Sequence, residues 1–96
     1  MRRTKIVGTI GPASRAPETL ERLLVAGLGV ARLNFSHGRH EEHGAAIRDL
    51  RAAARKLNRP LAILQDLAGP KIRIGEIPGG PVTLRAGAEF VLTSRP

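Results

Sequence analysis

The chain has 96 residues, 42% of them hydrophobic, no cysteine, and a formal charge of +8 from 16 Lys+Arg against 8 Asp+Glu. This is an ordinary globular composition, enough for one small domain but too short for a complete eight-stranded α/β barrel of roughly 250 residues. Disulfides and thiolate metal sites are excluded, no run approaches the ~18 apolar residues of a membrane span, and the basic residues are dispersed without aromatic platforms, which disfavours nucleic acid as a partner.

Lys5 to Ile10 reads as a buried strand stopped by Gly11-Pro12. Pro17 and Glu18 suit the first turn of a helix, one through its fixed φ and the other through the helix dipole. Leu20, Leu23 and Leu24 then share one helical face, and Gly27 is the expected left-handed stop. Gly29 to Phe35 forms a second strand. A second helix is expected from about His40 to Leu57, with Ile47, Leu50, Ala54 and Leu57 as its apolar stripe and Arg48, Asp49, Arg51 and Arg55 facing outward. Asn58-Arg59-Pro60 ends it, and Leu61 to Gln65 is the third strand. Strand, helix, strand, helix, strand with short connections indicates a parallel α/β sheet.

After Asp66 the pattern changes. Ile72 to Ile77, Val82 to Leu84 and Glu89 to Leu92 alternate around Pro78-Gly79-Gly80-Pro81 and Arg85-Ala86-Gly87-Ala88, which predicts a small antiparallel β module. The expected division is an α/β portion over residues 1–70 and the beginning of a β-rich domain over 71–96.

The chemistry concentrates where the parallel strands end. Side chains alternate along a strand, so Arg32, Asn34 and Ser36 share one face while Leu33 and Phe35 take the other. Ligands in parallel α/β folds bind at the carboxyl ends of strands. Thr9, Arg32, Asn34, Ser36 and Asp66 all fall at or near those ends. A plain Arg32–Asp66 ion pair with Asn34 and Ser36 as caps is the bland reading. The convergence of so many polar groups favours a site for a phosphorylated ligand. His37, His40 and His43 invite a zinc reading, but steps of three drift off one helical face and His37 precedes Gly38, outside the helix. His37 is better placed as a ligand contact from the loop.

Thr4-Lys5-Ile6-Val7, Thr9 to Ser14, Ala31 to Gly38 and Asp66 to Arg73 resemble the amino-terminal segment of pyruvate kinases, in order and spacing, over essentially the whole chain. The resemblance implies a partial TIM barrel, its first three β/α steps, followed by the start of a small antiparallel lid. It implies phosphoryl transfer from phosphoenolpyruvate to ADP, giving pyruvate and ATP in glycolysis. By position, Arg32 would contact the transferred phosphate; Thr9, Asn34, His37 and Arg73 would lie on the nucleotide side. Asn34, Ser36, Asp66 and the Leu67 carbonyl would hold a monovalent cation, potassium in many members.

Two departures qualify this. Potassium-requiring members carry Thr, Lys and Glu where this chain has Leu67, Ala68 and Lys71, and the family pattern links Lys71 to potassium independence. The family's magnesium-binding carboxylates and catalytic lysine are expected beyond Pro96, so the isolated chain is expected to be inactive and to expose unpaired sheet edges. The resemblance also implies a cytoplasmic homo-oligomer, and the absence of cysteine fits that compartment. The rival readings are a non-catalytic module binding a nucleotide or partner on the same scaffold, and a basic nucleic-acid binder.

Overall fold

A computed structural model describes residues 3–94; residues 1, 2, 95 and 96, at the outer bounds of the two expected segments, lie outside the described residues. Strand β1 (Ile6–Thr9) leads through a single 3-10 turn (Pro12–Ser14) to helix α1 (Pro17–Ala26), strand β2 (Leu28–Asn34), helix α2 (His40–Lys56) and strand β3 (Ala62–Asp66). The strands form one parallel sheet in the order β1-β2-β3. Thr9 stands beside Arg32, and Asn34 beside Asp66, so β2 carries its polar end between its neighbours' ends.

Both helices cover one face of the sheet. α1 begins at Pro17 with Glu18 in its first turn, and Gly27 closes it at φ 110°, its N–H reaching back to the carbonyls of Leu23 and Leu24. A side chain at that φ would clash, which is why glycine ends the helix. Leu20 and Leu24 from α1, Ala31 and Leu33 from β2, and Ala46, Leu50, Ala53 and Ala54 from α2 make the core, with Phe35, Ile47 and Leu57 packed around it. Apolar burial of this kind, about 25 cal/mol per Å², is what holds the helices on the sheet. Arg51 and Arg59 tie the far end together by donating to the carbonyls of Leu61 at 2.8 Å and Leu24 at 3.2 Å.

The expected β module after Asp66 is not formed. Among the described residues no strand follows β3. The two turns do close, through Gly80 N–H to the Ile77 carbonyl and Ala88 N–H to the Arg85 carbonyl, both at 3.1 Å. The alternating stretches between them make no ladder. Ile72, Ile74, Phe90, Val91 and Leu92 are all largely exposed. Turn residues act locally, whereas a hairpin needs a third strand or a packed face before its strands are stable. Residues 67–94 are exposed throughout, so no packed face supplies one among the described residues. The radius of gyration, 19.6 Å, accordingly exceeds the roughly 12.5 Å of a compact chain this long.

Candidate functional site

The site is built on the end of β2. Ala31 and Leu33 point into the core, so alternation turns Arg32 and Asn34 to the opposite face of the sheet. Arg32 is held from both sides. Its Nη1 donates to Thr9 Oγ1 at 3.0 Å, and its Nη2 pairs with Asp66 Oδ2. The guanidinium thus bridges all three strands. Arginine has five N–H donors in a rigid fork, and these contacts use two of them. The side chain remains 33% exposed at the carboxyl edge, where a guanidinium suits a multivalent anion.

The turn after β2 is tied down group by group. Phe35 N–H donates to the Asp66 carbonyl at 2.9 Å, and His37 N–H to the Asn34 carbonyl at 3.2 Å. Asn34 Oδ1 accepts the Ser36 N–H at 3.1 Å. Lys71 Nζ lies 3.4 Å from Ser36 Oγ, so a tethered ammonium reaches the edge that already holds the Arg32–Asp66 pair. Leu67 follows directly and is exposed.

The structure therefore brings Thr9, Arg32 and Asp66 into contact, and Asn34, Ser36 and Lys71 into a second linked set. His37 is exposed, and the fold engages its backbone, through the N–H to Asn34 and the carbonyl that meets His43. Arg73 lies in the extended segment, lining a hollow of about 710 Å³ with Ile72, Ile74 and Phe90. Among the described residues no group of three His, Cys, Asp or Glu side chains is arranged to hold a metal ion. The Asn34, Ser36 and Asp66 oxygens are donors of the kind that suits a hard cation, and two of the three are already faced by an ammonium or a guanidinium.

Three residues outside the expected site set also contribute: Gly38, Glu42 and His43. Gly38 takes φ +76° beneath the turn. His43 is buried in α2, and its signal was its place three, four and seven residues before Ala46, Ile47 and Leu50 on the apolar stripe.

The model of the family described as pyruvate kinase, barrel domain, matches residues 1–96. The chain is 54% identical over 93 residues to a pyruvate kinase of Thermococcus litoralis, covering 97% of this chain and 20% of that protein. It is 54% identical over 97 residues to pyruvate kinase 2 of a Synechocystis species, covering 99% of this chain and 16% of the relative. A Bacillus licheniformis pyruvate kinase is 52% identical over 93 residues, with 97% and 16% covered. The chain belongs to the pyruvate kinase barrel-domain family. It spans a fifth or less of the length of these curated relatives.

In this family member the start of α2 is also tuned by charge. Glu42 Oε2 accepts the Arg39 N–H at 3.0 Å. That bond is the largest influence and holds the Glu42 carboxyl below its ordinary range; desolvation opposes it, and the Arg15, Arg39 and His43 charges add to the lowering. A depressed folded-state pKa contributes stability that is present above the unfolded value and is lost as pH falls through the folded one. Glu42→Gln keeps an acceptor but no charge. It should be less stable than the parent at pH 7, and the gap should close as acid protonates Glu42. Denaturant titrations at neutral and acid pH check this; a gap independent of pH would exclude the charge effect.

Proposed function

We propose that this segment forms the opening three β/α steps of a pyruvate kinase TIM barrel and, over 71–96, the start of its lid. It serves phosphoryl transfer between phosphoenolpyruvate and ADP, giving pyruvate and ATP. The observation that carries this reading is the partly exposed Arg32 guanidinium, braced by Thr9 and Asp66 at the carboxyl edge of the sheet. Phosphoryl transfer asks the protein mainly for positioning and for neutralisation of spread negative charge. A rigid, permanently charged fork supplies both. Thr9 braces that fork from β1, while Asn34, His37 and Arg73 belong to the nucleotide side.

Asn34, Ser36, Asp66 and the Leu67 carbonyl form the edge suited to a monovalent cation, and the Lys71 ammonium beside Ser36 supports its replacement. A bound monovalent cation supplies one fixed positive charge near the phosphates, and an ammonium on a strand can supply the same. Magnesium, which screens phosphate charge when bound, requires ligands from elsewhere in the gene product. The complete protein is expected to act in the cytoplasm as a homo-oligomer.

The test is pyruvate formation by the full gene product, with magnesium, in potassium-free and potassium-containing buffer. Activity should persist without potassium. Lys71→Ala should lose most of it there and regain part on adding potassium. No pyruvate under any condition would reject the enzymatic reading, and an absolute potassium requirement in the parent protein would reject the role of Lys71.

A further inference from the structure

We infer that His43 is a positioning residue, holding through the His37 carbonyl the turn that presents Asn34 and Ser36. The inference rests on the phosphoryl-transfer reading of that edge and assigns a part in it to a helix residue that meets none of the reacting groups.

His43 is 8% exposed, and a ring nitrogen that deep needs a partner. Its Nε2 lies 2.7 Å from the His37 carbonyl oxygen. A carbonyl only accepts, so Nε2 carries the proton and donates. The ring stacks on Phe35 with centroids 4.2 Å apart and planes 16° from parallel. His43 therefore touches the turn twice, at its first residue through the stack and at its third through the hydrogen bond. Ser36 lies between these two anchors.

Gly38 removes the slack. A Cβ there would lie 3.0 Å from Glu42 Oε2 and 3.3 Å from His43 Nε2, at a φ of +76°. The turn, the imidazole and the Glu42 carboxylate thus interlock, and a shift of the ring is passed on to Ser36. A residue that only filled the core would be replaceable by any apolar side chain of similar size. A positioning residue requires the donor.

The test compares His43→Leu, which keeps apolar volume, with His43→Gln, whose amide N–H reaches a position like Nε2, in the full gene product. The readouts are amide hydrogen exchange over residues 36–38 and steady-state pyruvate formation. In the Leu variant the Ser36 and His37 amides should exchange about tenfold faster, the scale of one lost hydrogen bond. Its kcat should fall about 10- to 100-fold, the usual cost of losing a supporting partner, with a smaller change in KM for phosphoenolpyruvate. The Gln variant should recover most of both. Unchanged exchange in the Leu variant, or equal losses in Leu and Gln, would overturn the inference. If neither His43 variant folds, Gly38→Ala presses on the same ring from the turn side and should also speed exchange at 36–38; normal exchange there would count against it. A parent protein that forms no pyruvate defeats the proposed function instead, and exchange still decides whether His43 sets the turn.

Discussion

Replacing Arg32 by lysine in the full gene product is expected to lower kcat for pyruvate formation roughly 10³-fold, the scale of losing a preorganised donor to a transferring phosphoryl group. Lysine keeps the charge but not the fork. It cannot meet Thr9, Asp66 and a phosphate oxygen from fixed directions, as the guanidinium does. Stability should change far less. The Arg32 and Asp66 side chains are 33% and 42% exposed, and a pair so open to solvent contributes at most about 1 kcal/mol. The signature is thus a large loss of kcat with a nearly unchanged denaturant midpoint. Because the contact strengthens as charge develops, kcat and kcat/KM should fall together. A lysine variant with near-parental kcat would remove Arg32 from the chemistry, and one that loses activity only in step with stability would make it a structural brace.

The same residue shows what alternation along a strand can disclose. That Arg32, Asn34 and Ser36 share a face follows from a period of two, and the buried Leu33 confirms the phase. Alternation alone does not choose between the Arg32–Asp66 pairing the sequence offers and other partners, because the choice depends on register. Asn34 stands beside Asp66 in the sheet, yet Asp66 pairs with Arg32 two residues back. The helices were legible for a similar reason. Their leucines fall on one stripe, and Gly27 and Asn58-Arg59-Pro60 punctuate them where α1 and α2 end.

What escaped was long-range or ambiguous in chemistry. His43 has the spacing of the buried stripe but reads as polar, and only Phe35 and the His37 carbonyl, brought from β2 and its turn, account for its burial. Gly38 precedes α2 in a loop, but the crowding of Glu42 and His43 where its Cβ would lie arises only in the fold. In residues 72–92 the expected turns close but the expected strands do not pair. A turn is decided within four residues, whereas a ladder depends on a neighbour with an apolar face to share.

Leu50→Ala should be among the most destabilising single truncations of the α/β unit, by about 3 kcal/mol or more on the scale of buried leucine deletions. Leu50 is 0% exposed, on α2 where Leu20 and Leu24 of α1 and Leu33 of β2 belong to the same cluster. Only one face of this sheet is covered by helices, so few other contacts remain to compensate for a cavity there. Domains are commonly stable by only about 5–15 kcal/mol, so this one change removes a large fraction. Val25→Ala is the control. Val25 lies on the exposed side of α1 at 59% exposure, and surface changes of this kind usually stay within about 0.5 kcal/mol. Denaturant unfolding of the full gene product separates the two. Similar losses at Leu50 and Val25 would mean that α2 does not pack on the sheet through Leu50. The turn that α2 supports through His43 would then have no firm base.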